Sequence, residues 1–266
     1  MTTPTQLTLL QDSLRLAEET SREAGHQLLK EVNSHREINA EEAHDVKLRA
    51  DVETEQMIRQ KLRDHSHFPI LGEEAGGDSS LVEQDKLFWI IDPLDGTYNY
   101  LRRLPLCCVS IGLYRGSQPV LGAIYDFYRE ELFSALAKKS PLLFNRRPCQ
   151  PQPVHQIQKA VLATGLPSEG DYSDDYLSSF VRQMQRFKKV RMIGTAALAL
   201  AYVAVGRMDV YHETGIRLWD IAAGLALVSA AGGAIHIQND NKQELSYHVW
   251  VANSPQLLSA IQKEFL

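Results

Sequence analysis

The stretch from residue 107 to residue 135 constrains the fold most strongly, because apolar and polar residues alternate along it. The segments CVSIGLY, PVLGAIYD and ELFSALA carry this period of two, and short polar turns such as RGSQ separate them. Alternation with period two is typical of half-buried strands, and short turns join antiparallel neighbours. The sequence therefore predicts an antiparallel meander of three strands in this part of the chain.

The segments on either side of the meander predict helices and further strands. Apolar residues at helical spacing indicate a first helix over residues 5–32 and a second helix from about Asp51, with the polar segment NSHREINAEEAHD (33–45) as a loop between them. LFWII predicts a short buried strand. After the meander, strands at AVLATG, DVYHE, AIHIQ and HVWVAN alternate with helical patterns at 171–188, 195–205, WDIAAGLALVSAAGG and SPQLLSAIQKEF.

The Pro- and Gln-rich segment NRRPCQPQPVHQ marks the expected boundary between two halves. We expect an N-terminal α+β half over residues 1–150, which contains the antiparallel sheet and most of the candidate ligands. A C-terminal α/β half would cover residues 151–266. Since no long linker separates the halves, we expect them to form one compact catalytic unit.

Composition narrows the classes of partner. The 266 residues carry a net charge of −5, so there is no overall basic footprint for nucleic acid, which we expect not to be a partner. The N-terminus has no signal-peptide pattern and no apolar run reaches the length of a membrane span, which predicts a cytoplasmic protein without a membrane partner. Cys107 and Cys108 are adjacent in a strand-like run and should point to opposite faces, as free thiols.

Candidate metal ligands lie in three separated places: Glu73 with Glu74, Asp92 with Asp95, and Asp220. Two carboxylates three residues apart at a strand end repel each other once they are desolvated, and a divalent cation would remove that cost. Hard oxygen donors favour Mg²⁺, Mn²⁺ or Ca²⁺, and the absence of a Cys/His pattern disfavours zinc.

The residues after Asp95 suit a phosphate. Gly96 would let the backbone approach a ligand closely, and a helix that begins after Gly96 would present its free N–H groups to an anion. Carboxylate-bound cations beside helix N-termini are what metal-assisted phosphoryl chemistry needs.

Each of these residues also has a structural interpretation. Asp220 and Asp51 could be helix caps, Asp95–Gly96 is a common turn dipeptide, and Glu73–Glu74 could be a solvated loop. The joint pattern favours the functional interpretation.

Three motifs, GEEAGG (72–77), WIIDPLDGTYNYLRRLP (89–105) and ETGIRLWDIAAG (213–224), with the weaker GTAALALAYVAVGRMD (194–209), occur in this order. With them the chain resembles the inositol monophosphatase family of lithium-sensitive, Mg²⁺-dependent phosphatases. The resemblance implies a layered αβαβα sandwich of the inositol monophosphatase and fructose-1,6-bisphosphatase type, and a homodimer. It also implies hydrolysis of a small phosphorylated alcohol, such as inositol monophosphate, by metal-activated water.

The resemblance also implies roles for individual residues. The two main Mg²⁺ ions would be held by Glu73, Asp92, the Leu94 carbonyl, Asp95 and Asp220, and a third, weaker ion would lie near Glu73, so that Mn²⁺ or Ca²⁺ could occupy the same sites. The catalytic group would be Thr97 and Asp51, which orient and deprotonate water, together with Glu73. The substrate would be contacted by Gly96, Thr97, Thr195, Ala196 and Glu213.

Some positions depart from the family pattern. Tyr98 stands where a second threonine is common, and Leu48 stands where the family usually has a threonine. These changes leave the substrate open. The alternatives are a 3′(2′),5′-bisphosphate nucleotidase and a non-catalytic regulatory binding protein.

Overall fold

Two β-sheets form the frame of the fold. The computed structural model describes residues 4–32, 38–42, 45–166 and 172–266, and the side chains of residues 4, 38–42 and 45–48 are not part of the description. Within these residues one sheet has seven strands in the order β3-β4-β5-β6-β7-β8-β9, and the other has five in the order β11-β10-β12-β14-β13. A separate pair, β1-β2, stands outside both sheets.

The helices lie in all three layers outside and between the sheets. They are α1 (Pro4–Glu31), α2 (Arg49–His65), α3 (Thr97–Leu101), α4 (Asp174–Met184), α5 (Ala196–Ala204), α6 (Leu218–Ala230) and α7 (Pro255–Phe265), with short 3₁₀ turns at Ser79–Glu83 and Ile157–Lys159. The strands are β1 (Ile38–Glu42), β2 (Asp45–Leu48), β3 (Ile70–Gly72), β4 (Leu87–Asp95), β5 (Cys108–Arg115), β6 (Gln118–Asp126), β7 (Glu131–Leu136), β8 (Leu143–Phe144), β9 (Arg147–Pro148), β10 (Val161–Thr164), β11 (Lys189–Arg191), β12 (Val210–Arg217), β13 (Ala234–Asn239) and β14 (Ser246–Ala252).

The predicted meander is confirmed, because β5, β6 and β7 pair antiparallel with their chain neighbours. In the same sheet β3 runs parallel to β4, and β4 runs antiparallel to β5. The five-stranded sheet is mixed: β10 is parallel to β11 and β12, whereas β14 is antiparallel to β12 and β13.

The layers follow the order αβαβα, which confirms the predicted sandwich. Helices α1 and α2 pack on one face of the seven-stranded sheet, and α5 and α6 lie between the two sheets. Successive side chains of β14 point to opposite faces of the five-stranded sheet and so contact different helix layers. Val249 and Val251 pack with α5 and α6, whereas Trp250 packs with the outer helix α7. Because α6 has a sheet on both sides, it is apolar almost all round.

The prediction of a loop over residues 33–45 is wrong in part. Residues 38–42 and 45–48 form the antiparallel pair β1-β2, while residues 33–37 and 43–44 lie outside the described residues. A two-stranded ribbon is formed by backbone hydrogen bonds, so its polar sequence, INAEE and DVKL, carries no alternating apolar signal. The helix expected at 171–188 is α4, and residue 171 lies outside the described part.

The cysteines behave as expected. All three are free thiols, and the neighbours Cys107 and Cys108 are buried on opposite faces of the sheet, toward α1 and toward α5 respectively. Across the described residues, none of the helices combines the length and the apolar composition that crossing a bilayer requires. The last strand of the seven-stranded sheet ends at Pro148, and the first strand of the five-stranded sheet begins at Val161. The division of the chain into two halves at residue 150 stays a prediction.

Candidate active site and metal centre

Asp92 and Asp95 lie at the carboxyl end of β4 and face the same side of the sheet. Residues three apart on a regular strand face opposite sides. Here Asp92 pairs with Ser110 and Asp95 pairs with Cys108, so β4 contains one more residue than β5 between the two pairs. This β-bulge restores the same-side arrangement, and both carboxylates face α5 and α6.

The first turn of α5 holds the Asp95 carboxylate. Its Oδ2 accepts hydrogen bonds from the Thr195 hydroxyl at 2.5 Å and from the Ala197 backbone N–H at 2.6 Å. The Thr195 hydroxyl in turn accepts a bond from the Leu198 N–H at 3.3 Å, which caps the helix. These bonds fix the plane of the Asp95 carboxylate through one of its two oxygens.

Asp220 reaches the same place from the first turn of α6. Strand β12 ends at Arg217, and the Arg217 backbone N–H donates to Asp220 Oδ2 at 3.1 Å, which starts the helix. The interpretation of Asp220 as a helix-starting residue is therefore partly right, although Arg217 occupies the cap position. The capping bond also directs the Asp220 side chain toward the end of β4.

Burial raises the pKa values of the three aspartates, and repulsion by neighbouring carboxylates raises those of Asp92 and Asp220 further. For Asp92 burial is the largest cause, and the charges of Glu73, Asp95 and Asp220 raise the pKa further. For Asp220 burial is again the largest cause, followed by the charge of Asp95. Burial raises the pKa of Asp95 to about 6, although the bonds from Thr195 and α5 oppose it. Full ionisation of this group therefore requires compensating positive charge.

This donor set fits a hard divalent cation such as Mg²⁺. The carboxylates supply oxygen ligands, and a bound cation would remove the repulsion that raises their pKa values. Within the residues that the structure describes, no three His, Cys, Asp or Glu side chains already stand in a metal-binding geometry. The fit therefore rests on the charge and chemistry of the carboxylates.

Thr97 begins α3 directly behind the two aspartates. The preceding Gly96 has φ of +90°, and a Cβ there would lie 2.8 Å from the Leu106 carbonyl oxygen, so the turn requires glycine. Thr97 Oγ1 lies 3.0 Å from the Leu94 carbonyl oxygen and 3.3 Å from Asp51 Oδ1, and its proton can go to either. The structure thus brings Thr97 into contact with both Asp51 and the carbonyl expected to bind a cation.

Glu73 enters the site from the loop after β3. Its backbone N–H donates to the Ile91 carbonyl at 3.3 Å, which extends the parallel pairing of β3 with β4 and places Glu73 beside Asp92. Glu73 and Glu74 are both half-buried, so the pair is not a freely solvated loop. The Glu74 N–H donates to Glu55 Oε2 at 2.8 Å, a contact that the sequence reasoning missed.

Glu213 lies on β12, near Asp95. The Tyr211 hydroxyl donates to Glu213 Oε2 at 2.8 Å, and burial raises the pKa of Glu213 to about 7, with a contribution from the charge of Asp95. Thr195 and Ala196 are buried at the start of α5, and the Thr195 hydroxyl is engaged with Asp95. Contacts of these residues with substrate stay predictions.

Two further residues of the α3 region bear on the site. The Asn99 side-chain amide donates to the carbonyls of Leu106 at 2.7 Å and Ile193 at 2.8 Å, which ties α3 to the turn before α5 and was missed from the sequence. Tyr98 is 60% exposed beside Thr97. The side chain of Leu48 lies outside the described residues.

The fold defines the class first, because the chain superimposes on solved phosphatase structures over nearly its whole length. Residues 9–265 match the profile of the Inositol monophosphatase family, so the chain belongs to that family.

Individual relatives agree with this assignment. The chain is 36% identical to the Nus factor SuhB of Xylella fastidiosa over 81% of this chain and 78% of that protein. It is 34% identical to an inositol-1-monophosphatase of Mycobacterium bovis, over 80% and 77% of the two chains. The inositol monophosphatase structure from Anabaena (Nostoc) sp. PCC 7120 superimposes with a TM-score of 0.77 at 33% identity, over 96% of both chains. The family and these named phosphatases support a hydrolase activity for this chain.

Proposed function

We propose that this chain is a Mg²⁺-dependent phosphomonoesterase that hydrolyses a small phosphorylated alcohol such as inositol monophosphate. The observation that carries the proposal is the group of Asp92, Asp95 and Asp220: burial raises the pKa of all three, and repulsion by neighbouring carboxylates raises the pKa of Asp92 and Asp220 further. Membership of the Inositol monophosphatase family supports the same reaction.

The carboxylates supply the ligands for the cations. Glu73, Asp92 and the Leu94 carbonyl would hold one ion, and Asp92, Asp95 and Asp220 would hold a second, with a weaker third site near Glu73. Bound divalent cations would neutralise the phosphate charge, stabilise the leaving oxygen and lower the pKa of the attacking water.

Thr97 and Asp51 would handle the proton of the attacking water. As the water oxygen bonds to phosphorus, Thr97 Oγ1 accepts a water proton and passes its own proton to Asp51, 3.3 Å away. The bond between phosphorus and the alcohol oxygen breaks, and the alcohol leaves with a proton from solvent. The backbone N–H groups of Gly96 and Thr97 would bind the phosphate oxygens.

The alcohol part of the substrate would lie toward Glu213 and the turn at residues 194–196. With its pKa near 7, Glu213 is partly ionised at neutral pH and can accept hydrogen bonds from substrate hydroxyl groups. Tyr98 would border the same entrance and restrict the shape of the alcohol.

We also propose a cytoplasmic homodimer. Leu104 and Met192 are exposed apolar side chains next to the contact of Asn99 with Ile193, and a second copy of the chain would cover them. Sedimentation velocity would check the dimer, and a monomer at micromolar concentration would contradict it.

The test of the activity is phosphate release from inositol, sugar and 3′(2′),5′-bisphosphate nucleotide esters, with and without Mg²⁺. We expect Mg²⁺-dependent release that falls at least about 100-fold in Asp95→Asn, because a ligand of the cation is lost. Asp85→Asn, which changes an exposed aspartate paired with Arg115 at 3.8 Å, is the matched control.

The other outcomes would support the alternatives. Unchanged activity in Asp95→Asn contradicts the mechanism, and a preference for the nucleotide identifies a bisphosphate nucleotidase. No release on any ester, together with a stable macromolecular partner, would favour a regulatory protein, a role that the name of the Xylella relative suggests.

A further inference from the structure

A buried ion pair on α2 holds the loop that carries Glu73. Glu55 and Arg59 are both buried, and Arg59 Nε donates to Glu55 Oε1 at 2.7 Å. Breaking such a pair leaves an uncompensated charge in the interior, so a protein keeps one only where its remaining hydrogen-bonding groups are also satisfied.

The other hydrogen bonds of both side chains go to the backbone of one loop. Glu55 Oε2 accepts from the Glu74 N–H at 2.8 Å, and Oε1 accepts from the Ala75 N–H at 2.9 Å. Arg59 donates to the carbonyl oxygens of Ile70, at 3.3 Å, and of Gly76. Four backbone groups over residues 70–76 are thereby fixed to α2.

The loop has no room to move toward the helix. A Cβ at Gly72 would lie 2.7 Å from Arg59 Nη2 and 2.7 Å from Glu55 Oε1, so glycine at this position lets the two side chains reach the loop. Glu73, the next residue, is held on its other side by the 3.3 Å bond from its N–H to the Ile91 carbonyl.

The same helix positions the other half of the site. Asp51, Glu55 and Arg59 are spaced by four residues, so they form one stripe along α2. Asp51 at the start of this stripe contacts Thr97, while Glu55 and Arg59 hold the Glu73 loop. One rigid helix thus sets the position of the Glu73 loop relative to Thr97.

We propose that Glu55 and Arg59 are positioning residues that orient Glu73 toward Asp92 and so set the affinity of the site for its divalent cation. They touch neither substrate nor the reacting atoms, and they act through Glu73. This inference rests on the proposed function, because it takes Glu73 to be a cation ligand. Outer-shell partners of metal ligands typically change metal affinity by about 10–100-fold when they are mutated.

The primary variant is Glu55→Gln, which keeps the shape of the side chain and removes the charge that pairs with Arg59. Calorimetric titration with Mg²⁺ or Mn²⁺ should show an affinity about 10–100-fold weaker, whereas kcat at saturating cation should stay within about threefold. Glu53→Gln is the matched control, because Arg49 and Glu53 form the same kind of i,i+4 pair on the same helix but are half-exposed. Its affinity should equal that of the unmodified protein.

A double-mutant cycle with Glu73→Gln separates positioning from a general loss of structure. If Glu55 acts through Glu73, its effect on cation affinity disappears in the Glu73→Gln background. Arg59→Lys keeps the positive charge but loses the planar guanidinium that bonds several acceptors at once. The same double-mutant cycle is measured with this variant, so the proposal can still be tested if Glu55→Gln does not fold.

Three results would overturn the proposal: an unchanged affinity in both variants, effects that add fully to that of Glu73→Gln, or a loss of kcat with unchanged affinity. If the unmodified protein neither binds the cation nor hydrolyses an ester, the proposed function itself fails, and this outcome is distinct from the other three.

Discussion

Asp92 and Asp126 are both buried aspartates near the end of a strand of the seven-stranded sheet, yet the negative charge of each meets different neighbours. Asp126 Oδ1 accepts from the backbone N–H groups of Tyr128 at 3.2 Å and Arg129 at 3.1 Å, and Oδ2 pairs with the Arg129 guanidinium at 3.0 Å. Asp92 Oδ1 accepts one bond, from the Leu94 N–H at 3.0 Å, and three other carboxylates raise its pKa.

The comparison separates a structural carboxylate from a functional one. Burial raises the pKa of both groups, but every contact with Arg129 lowers that of Asp126, whereas the charges around Asp92 add to the effect of burial. The turn after β6 is complete without a ligand. At the end of β4 the carboxylates repel one another, and either protonation or a bound cation would relieve the repulsion.

The largest expected effect comes from Asp92→Asn. Catalytic efficiency should fall about 10³-fold, because a proposed cation ligand would be lost, while the asparagine Oδ1 can still accept the bond from Leu94. Without cation the variant should be more stable than the unmodified protein at pH 8, since one repelling charge is gone. Kinetics and urea unfolding in a chelator would measure both, and a variant that is less stable without cation would contradict the comparison.

Asp126→Asn should show the opposite pattern. We expect a loss of about 2–4 kcal/mol of unfolding free energy, because the change breaks a buried ion pair and leaves Arg129 uncompensated; the partial exposure of Arg129 limits the loss. The kcat of the folded fraction should stay within about twofold. A large fall in kcat with unchanged stability would show that Asp126, like Asp92, has a functional role and not a structural one.

The pH dependence of stability gives a smaller effect. The folded-state pKa of Asp95 is about 6, above its unfolded value, so the folded protein binds the extra proton and its unfolding free energy falls as pH rises through this range. Without cation, we expect this group to contribute a loss of about 1–3 kcal/mol between pH 4 and pH 7. Urea unfolding in a chelator would measure it. Asp92, Asp220 and Glu213 also have raised pKa values and contribute a slope of the same sign, so the slope in Asp95→Asn should be shallower than in the unmodified protein but not zero. A slope that is unchanged in Asp95→Asn would contradict the assignment to Asp95.

The sequence predicts the elements whose pattern comes from the core. The alternation in β5 and β6 comes from packing on both faces, with large apolar side chains toward α1 and small residues such as Gly112 and Gly122 against α6. The apolar spacing of α1 reflects burial of one face of that helix, so both patterns are visible without a structure. The ribbon β1-β2 has no such signal. The motifs also predict the residues at the end of β4, but not the bulge that brings Asp92 and Asp95 to one side, because register is a property of two strands.

Helix α2 shows why the positioning pair was missed. Arg49 with Glu53 and Glu55 with Arg59 have the same residue types, the same spacing and the same 2.7 Å distance between Arg Nε and Glu Oε1. The first pair is half-exposed and the second is buried. An acidic and a basic residue four apart predict a surface pair in both cases, and only the packing of the Glu73 loop against α2 distinguishes them.

The bulge in β4 adds a backbone group to the site as well as aligning two side chains. Deletion of Pro93 or Leu94 would restore regular pairing with β5, and Asp92 and Asp95 would still face the same side, because residues two apart on a regular strand share a face. The deletion would instead remove the residue that the bulge leaves out of the ladder between them. In the bulged strand the Leu94 carbonyl lies 3.0 Å from Thr97 Oγ1, and it is the carbonyl expected to bind a cation. A regular strand could therefore present the same two carboxylates on one face, but it would lack the unpaired backbone between them.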